Sequence, residues 1–274
     1  MSVTSPGDAI LRRPVTRVTG RSREVLDDAL AVERALQIRV DGHDVAVTLR
    51  TPGHDRELAL GFLAGEGVLA AATDVRAVAI TSAACDDAPD LVEVSLSEGR
   101  VLDWTRLERH FAATAACGLC GRAHLDALRS GLARLPEGPV LSAAALLALP
   151  ARVRGDQHTF EATGGLHAAV WCDAAMEPRV LREDVGRHNA VDKVCGWLFE
   201  QHHRPVGEGV LWVSGRAGAE LVLKAVRAGI PAMAAVGAPS SLAVSLAESA
   251  GLTLVGFLRE GRMNVYAGAE RVAD

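Results

Sequence analysis

Two closely spaced cysteines are the residues of this sequence whose types and spacing could do chemistry. Cys117 and Cys120 lie in the stretch TAACGLCGRAH, and a glycine follows each of them. A thiol pair at this spacing can hold a metal ion, cycle between dithiol and disulfide, or carry sulfur as a persulfide. The other three cysteines, Cys85, Cys172 and Cys195, are isolated. The odd total favours a reducing compartment over a disulfide scaffold, so we expect a cytoplasmic protein.

A zinc site and a redox pair are the first two interpretations of these thiols. Structural zinc needs four ligands; Cys117 and Cys120 supply two, His124 is a candidate third, and His110 is nearby. The chain has no second C-x-x-C, so we predict no metal site. A dithiol redox pair would follow a strand, and the preceding RLERHFAATAA does not have a clear strand pattern.

A persulfide carrier is the third interpretation, and it needs a reactive thiolate that can reach two partners in turn. Gly118 and Gly121 give the backbone around the thiols conformational freedom. A helix N-terminus and Arg122 would both favour the thiolate. We therefore predict a mobile loop over residues 111–124, although a bare C-x-x-C does not separate electron transfer from sulfur transfer.

The composition excludes several classes of function. Of 274 residues, 49% are hydrophobic, which is enough for a sizeable core and more than one domain. A net charge of −5 and 4% aromatic residues argue against nucleic-acid binding. No apolar run is long enough to span a bilayer, so we expect no membrane partner. Arg12 and Arg13 precede no apolar segment, so residues 1–24 are predicted to be a flexible leader and not a secretory signal.

Residues 25–110 have the pattern of a small α/β domain with a mostly antiparallel sheet. The stretch ALQIRVDGHDVAVTLRTPG predicts two strands joined by a turn at Asp41 and Gly42. The stretch DRELALGFLAGEGVLA predicts a short amphipathic helix with Asp55 as its N-cap. Further strands are predicted over VRAVAITS, LVEVSL and RVLDW.

The rest of the chain predicts helices packed on a largely parallel sheet. RAHLDALRSGLARLP has one apolar stripe, and a second short helix is predicted over residues 143–149 with Ser142 as its cap. From Val210 onward, near-continuous apolar strands alternate with helices, which is typical of an α/β fold.

Polar and basic residues follow each of the three predicted parallel strands. Ligands of such sheets bind beyond the carboxyl ends of the strands, and helix N-termini there favour anions. We therefore predict a phosphate-bearing ligand at these ends. The candidate residues are Arg216, Ser240, Phe257, Leu258, Arg259, Glu260, Gly261 and Arg262.

The charged stretch REDVGRHNAVDKV has two interpretations. It fits a strand end followed by a solvated helix with pairs such as His188–Asp192. Its turn, from Asp184 to Arg187, is the part predicted to line a site. His167, which follows two glycines, is another candidate, although a lone histidine is more often structural.

Several long motifs occur together and in order in this chain: RTPGHDRELALGFLAGEGV, CGLCG, ATGGLHAA, REDVGRHNAVDKV, SGRAGAELVLKAVRAGI and GAPSSLAVSLAESAGLTLVGFLREGRMNVY. On these motifs the chain resembles the FdhD family of sulfurtransferases, which mature formate dehydrogenases, from about Glu33 onward. The resemblance implies that Cys117 accepts persulfide sulfur from a cysteine desulfurase, with Cys120 as its partner. The sulfur would pass to the molybdenum cofactor, bis-molybdopterin guanine dinucleotide.

The resemblance also implies a cofactor site, partners and a fold. The segment 257–262 would bind the cofactor, with GDP as a partial mimic. The protein would be a homodimer that meets the desulfurase and the catalytic subunit of formate dehydrogenase. Residues 125–274 would form a three-layer α/β/α domain similar to cytidine deaminases, beside the α+β N-terminal domain.

Two other functions are weighed against sulfur transfer. Zinc deaminases use H-x-E followed by P-C-x-x-C. Here His167 is followed by two alanines and the cysteine pair lies upstream, so deamination is rejected. The remaining alternative is a non-catalytic chaperone that binds the molybdenum cofactor and whose C-x-x-C is structural or binds a metal.

Overall fold

A computed structural model describes residues 9–85, 88–100, 102, 104, 134–201 and 206–274. These residues form an α/β protein, as predicted, with three clusters of buried apolar side chains. The predicted helix over RAHLDALRSGLARLP lies almost wholly outside them. The predicted loop 111–124 lies entirely outside the described residues, as do both of its cysteines.

The first described element is a β hairpin, which corrects the prediction of a flexible leader over residues 1–24. Strands β1 (Ile10–Thr19) and β2 (Ser22–Ala31) pair antiparallel along their whole length. Neither face of the hairpin covers a core, so charged side chains occur on both faces; Arg12 and Arg13 point to opposite sides. The sequence therefore lacks the apolar face that identifies most strands.

A four-stranded sheet and one helix form the N-terminal unit. The strand order is β4-β3-β6-β5, and only β3 and β6 pair parallel, so the prediction of a mostly antiparallel sheet is confirmed. The predicted turn at Asp41 and Gly42 is present, with positive φ at both residues. The elements are β3 Arg34–Val40, β4 His43–Arg50, α1 Asp55–Gly65, β5 Val75–Thr81 and β6 Asp90–Leu96.

The beginning of α1 differs from the prediction. Its N-cap is His54, in the left-handed region at φ 58°, and Asp55 is the first helical residue. The Asp55 carboxylate does not cap the helix because it accepts two hydrogen bonds from the Arg50 guanidinium, both 2.8 Å long.

A six-stranded sheet forms the second unit, in the order β13-β12-β11-β10-β8-β9. Its three central strands, β10 to β12, are parallel and alternate with helices, as predicted. The elements are α2 Ala143–Arg154, α3 His158–Thr163, β8 His167–Cys172, β9 Pro178–Asp184, α4 Arg187–Glu200, β10 Val210–Val213, α5 Ala219–Ala228, β11 Ala232–Ala235, α6 Ser241–Ala250, β12 Thr253–Arg259 and β13 Arg262–Ala267. A short parallel pair joins β7 Leu141–Ser142 to β14 Val272–Ala273.

Helices cover both faces of this sheet, which gives three layers. Helices α4, α5 and α6 pack on one face, and α2 packs on the other. Ser142 caps α2 as predicted, through a 3.3 Å hydrogen bond from the Ala145 N–H, and the helix continues beyond the predicted end through Pro150. None of the helices in the described part of the chain combines the length and the hydropathy needed to cross a bilayer.

Helix α4 is buried between the two units, which corrects the prediction of a solvated helix. Of its 14 residues, 10 are buried. It crosses α1 so closely that a Cβ on Gly196 would lie 1.8 Å from the Glu57 carbonyl oxygen, and one on Gly61 equally close to that of Asp192. The predicted His188–Asp192 pair is absent, because Asp192 pairs with Lys224 at 2.7 Å instead.

Candidate functional site at the strand ends

All six strands of the second sheet have one end on the same side of the sheet, which we call the strand-end edge. Strands β9 to β12 finish there, and the antiparallel strands β8 and β13 begin there. The cross-strand pairs His167–Asp184 and Arg259–Arg262 mark this edge on the two sides of the sheet. Every binding residue predicted from the sequence lies in a segment that meets this edge.

Backbone hydrogen bonds fix the loops beyond β10, β11 and β12. The Gly237 N–H donates to the Gly215 carbonyl at 2.9 Å, and the Phe257 N–H donates to the Gly237 carbonyl at 3.1 Å. Arg216 lies directly over Gly237, because a Cβ there would be 2.9 Å from Arg216 Cγ. The close approach requires glycine and holds the exposed Arg216 side chain at the edge.

The segment 257–262 divides into one buried residue and an exposed turn. Leu258 is fully buried, so its side chain belongs to the core and only its backbone is offered to a ligand. Phe257 is 38% exposed and has a positive φ of 52° at an irregularity of the ladder. The remaining four residues, Arg259, Glu260, Gly261 and Arg262, are exposed.

Three helices begin at this edge, after β9, β10 and β11. The N-caps of α4 and α5 are Gly186 and Gly218, and neither has a side-chain cap. Ser240 caps α6 by accepting from the Ala243 N–H at 3.2 Å, so its hydroxyl oxygen is already engaged once. Uncapped N–H groups and the positive ends of the helix dipoles favour anions.

His167 and Arg187 lie side by side at the β8–β9 end of the edge. A Cβ on Gly215 would be 3.4 Å from His167 Nδ1 and 3.8 Å from Arg187 Cδ. Burial, followed by the charges of Arg187 and His188, lowers the pKa of His167 below its ordinary value of 6.5. His167 is therefore a neutral hydrogen-bonding group at pH 7 rather than a counter-charge for an anion.

Asp184 lies at the same edge but its carboxylate points inward. The residue is 0% exposed, and its Oδ2 atom lies 2.7 Å from Lys193 Nζ. Its oxygens also accept hydrogen bonds from the backbone of Thr51 and Gly186 and from the Asn189 side chain. A direct contact between Asp184 and a ligand stays a prediction, because the carboxylate is already fully engaged.

The edge is basic. Arg187, Arg216, Arg259 and Arg262 form no ion pair with any residue that the structure describes. His188 Nε2 and Glu220 Oε2 lie 2.9 Å apart at the start of α4 and α5. An array of unpaired guanidinium groups beside uncapped helix ends is suited to phosphate groups.

The described ranges contain three free cysteines, of which Cys85 is exposed and Cys172 and Cys195 are buried. No group of three or more His, Cys, Asp or Glu residues there could hold a metal ion. Burial raises the pKa of Cys172 to about 12, so this thiol stays protonated and unreactive. Cys117 and Cys120, with His110 and His124, lie outside the described residues.

Sequence analysis missed the interior residues that hold the edge. Thr51 and Lys193 bind the turn at Asp184 from the interior of the protein, although they lie 142 positions apart in the chain. The signal in the sequence was that the charged residues Asp192 and Lys193 stand between apolar residues of a predicted helix. The structure shows that these neighbours are mostly buried. Charges at such positions indicate buried partners, but not which ones.

The fold and the edge define a class: an α/β protein with unpaired arginines and helix N-termini at the strand ends. The chain belongs to the FdhD/NarQ family, whose model matches residues 31–273. The match begins at the last residue of β2, so nearly all of the N-terminal hairpin lies outside it.

Two curated relatives and one solved structure are similar to the chain over nearly its whole length. The sulfur carrier protein FdhD of Mycolicibacterium paratuberculosis is 47% identical over 99% of this chain and 100% of its own. That of Streptomyces coelicolor is 50% identical over 96% of this chain and 95% of its own. A crystal structure described as a "putative formate dehydrogenase accessory protein" from Desulfotalea psychrophila has a TM-score of 0.76 at 23% identity and covers 97% of this chain and 100% of its own, which shows the fold.

Proposed function

We propose that this protein is a sulfurtransferase for the maturation of formate dehydrogenase. It accepts persulfide sulfur from a cysteine desulfurase on Cys117 and passes it to bis-molybdopterin guanine dinucleotide. The observation that carries the proposal is similarity over the full length to proteins named sulfur carrier protein FdhD. The basic strand-end edge is a second, separate support, because it suits a phosphate-bearing acceptor.

Loading needs no oxidant. The Cys117 thiolate attacks the outer sulfur of the donor's cysteine persulfide. A new S–S bond forms at Cys117 while the S–S bond of the donor breaks, and the donor cysteine leaves as a thiolate. The thiolate is the reactive form, so loading slows when the pH falls below the pKa of the thiol.

Release of the sulfur as hydrosulfide needs two electrons, and the cysteine pair supplies them. Cys120 attacks the inner sulfur of the persulfide, a Cys117–Cys120 disulfide forms, and the outer sulfur leaves with both electrons of the broken bond. A cytoplasmic dithiol reductant then restores the pair. This scheme assigns Cys120 to delivery, so loading does not require it.

The width of the edge supports an elongated acceptor. Neighbouring strands lie about 4.8 Å apart, so the four steps from β12 to β9 span roughly 19 Å. Arg259 and Arg262 would bind phosphate at the β12 side of this span. Arg187 and Arg216 would bind phosphate nearer its middle, because Arg187 lies over Gly215 and Arg216 follows Gly215. A cofactor with several phosphate groups suits four arginines spread along these strand ends better than one phosphate group does.

The proposal also includes an oligomeric state, a cellular compartment and two partners. The protein works as a homodimer in the cytoplasm, where the odd number of cysteines stays reduced. Its partners are the desulfurase and the catalytic subunit of formate dehydrogenase.

A cofactor chaperone is the second candidate function. The observation that favours it is that the described residues already bring four arginines and three helix N-termini to the edge. Such an edge could hold the molybdenum cofactor while the C-x-x-C is structural or binds a metal. The two functions differ in whether sulfur becomes covalently attached to Cys117.

Mass spectrometry after incubation with a cysteine desulfurase and cysteine separates the two functions. We expect a gain of one sulfur atom, about 32 Da, on the peptide that contains Cys117. Cys117→Ala should abolish the gain and Cys120→Ala should retain it, while both variants bind GDP like the parent protein. An unmodified Cys117 peptide would reject sulfur transfer, and a loss of GDP binding in Cys117→Ala would indicate one combined structural site.

A further inference from the structure

We infer that Thr51 and the buried Asp184–Lys193 pair are positioning residues that fix Arg187 at the strand-end edge. The inference rests on the proposed nucleotide site, because it gives Arg187 a ligand to meet. This role requires no contact between the three residues and the ligand. They act through the turn that joins β9 to α4.

The Asp184 carboxylate stabilises this turn through hydrogen bonds. Oδ1 accepts from the Gly186 N–H at 2.9 Å and from Asn189 Nδ2 at 3.1 Å. Oδ2 accepts from the Thr51 N–H at 3.2 Å and lies 2.7 Å from Lys193 Nζ. Every oxygen of the carboxylate is thus committed to the turn, to α4 or to the N-terminal unit.

Thr51 holds the same turn from the N-terminal unit. Its Oγ1 accepts from the Val185 N–H at 3.1 Å, and its carbonyl accepts from Lys193 Nζ at 2.9 Å. Thr51 is 3% exposed and Lys193 is 1% exposed, so water cannot replace these bonds easily. The N–H groups of Val185 and Gly186 are therefore both bound by buried side chains.

Arg187 follows this turn directly as the first residue of α4. Its side chain then lies beside His167, over Gly215. Because the backbone immediately before Arg187 is fixed by Thr51 and Asp184, a change at either residue shifts the guanidinium relative to the edge. The affinity of the edge for a phosphate therefore depends on a residue of the N-terminal sheet unit.

A second buried pair on the same helix is a matched control. Asp192 adjoins Lys193 in the chain and lies 2.7 Å from Lys224 Nζ, and both residues are buried. This pair joins α4 to α5 and has no hydrogen bond to the 184–187 turn. Lys224→Met and Lys193→Met each remove a lysine side chain that pairs with a buried aspartate of α4 or of the turn before it, and only Lys193→Met releases the turn.

The experiment combines GDP titration with an NMR titration of His167 in the full-length protein. Arg187→Ala calibrates both signals: GDP affinity should fall about ten- to a hundredfold, and the His167 pKa should rise because a neighbouring positive charge is gone. Thr51→Val should weaken GDP binding about three- to tenfold and move the His167 pKa in the same direction. Thr51→Ser, which keeps the hydroxyl, should restore both values. His188, which lowers this pKa, and Asp184, which raises it, are unchanged in all three variants.

The outcomes separate this inference from the proposed function. Lys193→Met should follow Thr51→Val in both signals, while Lys224→Met should match the parent protein at temperatures where both are folded. The inference is overturned if Thr51→Val leaves the His167 pKa unchanged, or if Arg187→Ala leaves GDP affinity unchanged while Arg262→Ala lowers it. If the parent protein does not bind GDP but the His167 pKa follows the series, the positioning stands and the nucleotide site of the proposed function fails.

Discussion

Charged side chains of the same types have opposite surroundings in two regions of this protein. In the interior, Arg50, Lys193 and Lys224 are at most 8% exposed, and each lies 2.6–2.7 Å from a carboxylate oxygen. At the strand-end edge, the side chains of Arg216, Arg259 and Arg262 are exposed and pair with no described carboxylate. The first set is neutralised inside the protein, and Lys193 also donates to the Thr51 carbonyl of the N-terminal unit. The second set has no counter-charge among the described residues and is suited to an anion.

This difference determines what each set contributes to the free energy of unfolding. Removing one partner of a buried ion pair leaves an uncompensated charge and destabilises a protein by about 3–5 kcal/mol. Removing an exposed, unpaired charge usually changes stability by less than about 0.5 kcal/mol. Substitutions in the first region should therefore appear in unfolding experiments, and those in the second should appear only in ligand binding.

The largest effect is expected for Arg50→Met. Arg50 bridges Asp55 at 2.8 Å and Asp90 at 2.6 Å, and its loss leaves the buried Asp90 carboxylate with weaker compensation. We expect the free energy of unfolding to fall by about 3–5 kcal/mol in urea titrations at pH 7. Arg56→Met is the control, because Arg56 pairs with Glu200 while 45% exposed and should cost at most about 1 kcal/mol.

The cost of Arg50→Met should also depend on pH. Burial raises the pKa of Asp90, but hydrogen bonds from the Ala83 N–H and from Arg50, with the charge of Arg50, outweigh burial and lower it. A lowered pKa in the folded state means that the stabilisation is complete above the unfolded value of about 3.9 and is lost as the pH falls through the folded value. The difference between parent and variant should therefore shrink below about pH 4. A constant difference down to pH 3, or equal costs for Arg50→Met and Arg56→Met, would contradict the assignment.

The second largest effect is expected for Arg262→Ala at the edge. GDP affinity should fall about ten- to a hundredfold in calorimetry, since one charge-assisted hydrogen bond contributes about 1.5–3 kcal/mol. The free energy of unfolding should stay within about 0.5 kcal/mol of the parent value, because Arg262 is exposed and pairs with no described carboxylate. A large loss of stability would place Arg262 with the interior charges. Equal affinity for ADP and GDP would reduce the edge to a general phosphate site.

The two regions were not equally predictable from the sequence. The edge could be predicted because β10 to β12 alternate with helices, and the ends of such strands meet by topology alone. The interior could not, because Lys193 also binds the Thr51 carbonyl, 142 positions away, and nothing local identifies that partner. The same lack of local information explains why α4 was predicted to be solvated. The hairpin β1–β2 was missed for a different reason, since it has charges on both faces and covers no core.

The smallest effect is expected for Arg12→Ala in the hairpin, and it tests whether exposure alone makes an arginine a ligand contact. Arg12 lies 3.6 Å from Asp27, with side chains that are 68% and 60% exposed, so the pair contributes at most about 0.5 kcal/mol to stability. Its charge is exposed to solvent and partly neutralised by Asp27, and the Debye length is about 8 Å at 0.15 M salt, so GDP affinity should not change. The measurement is a GDP titration of Arg12→Ala and Arg262→Ala at the same ionic strength. If Arg12→Ala weakens binding as much as Arg262→Ala does, GDP is attracted by the overall basic surface and the geometry of the strand ends is not what recognises it. If only Arg262→Ala weakens binding, recognition depends on the position of the arginine at the strand ends. Helix N-termini and arginines at one edge then distinguish this binding site from other exposed charges.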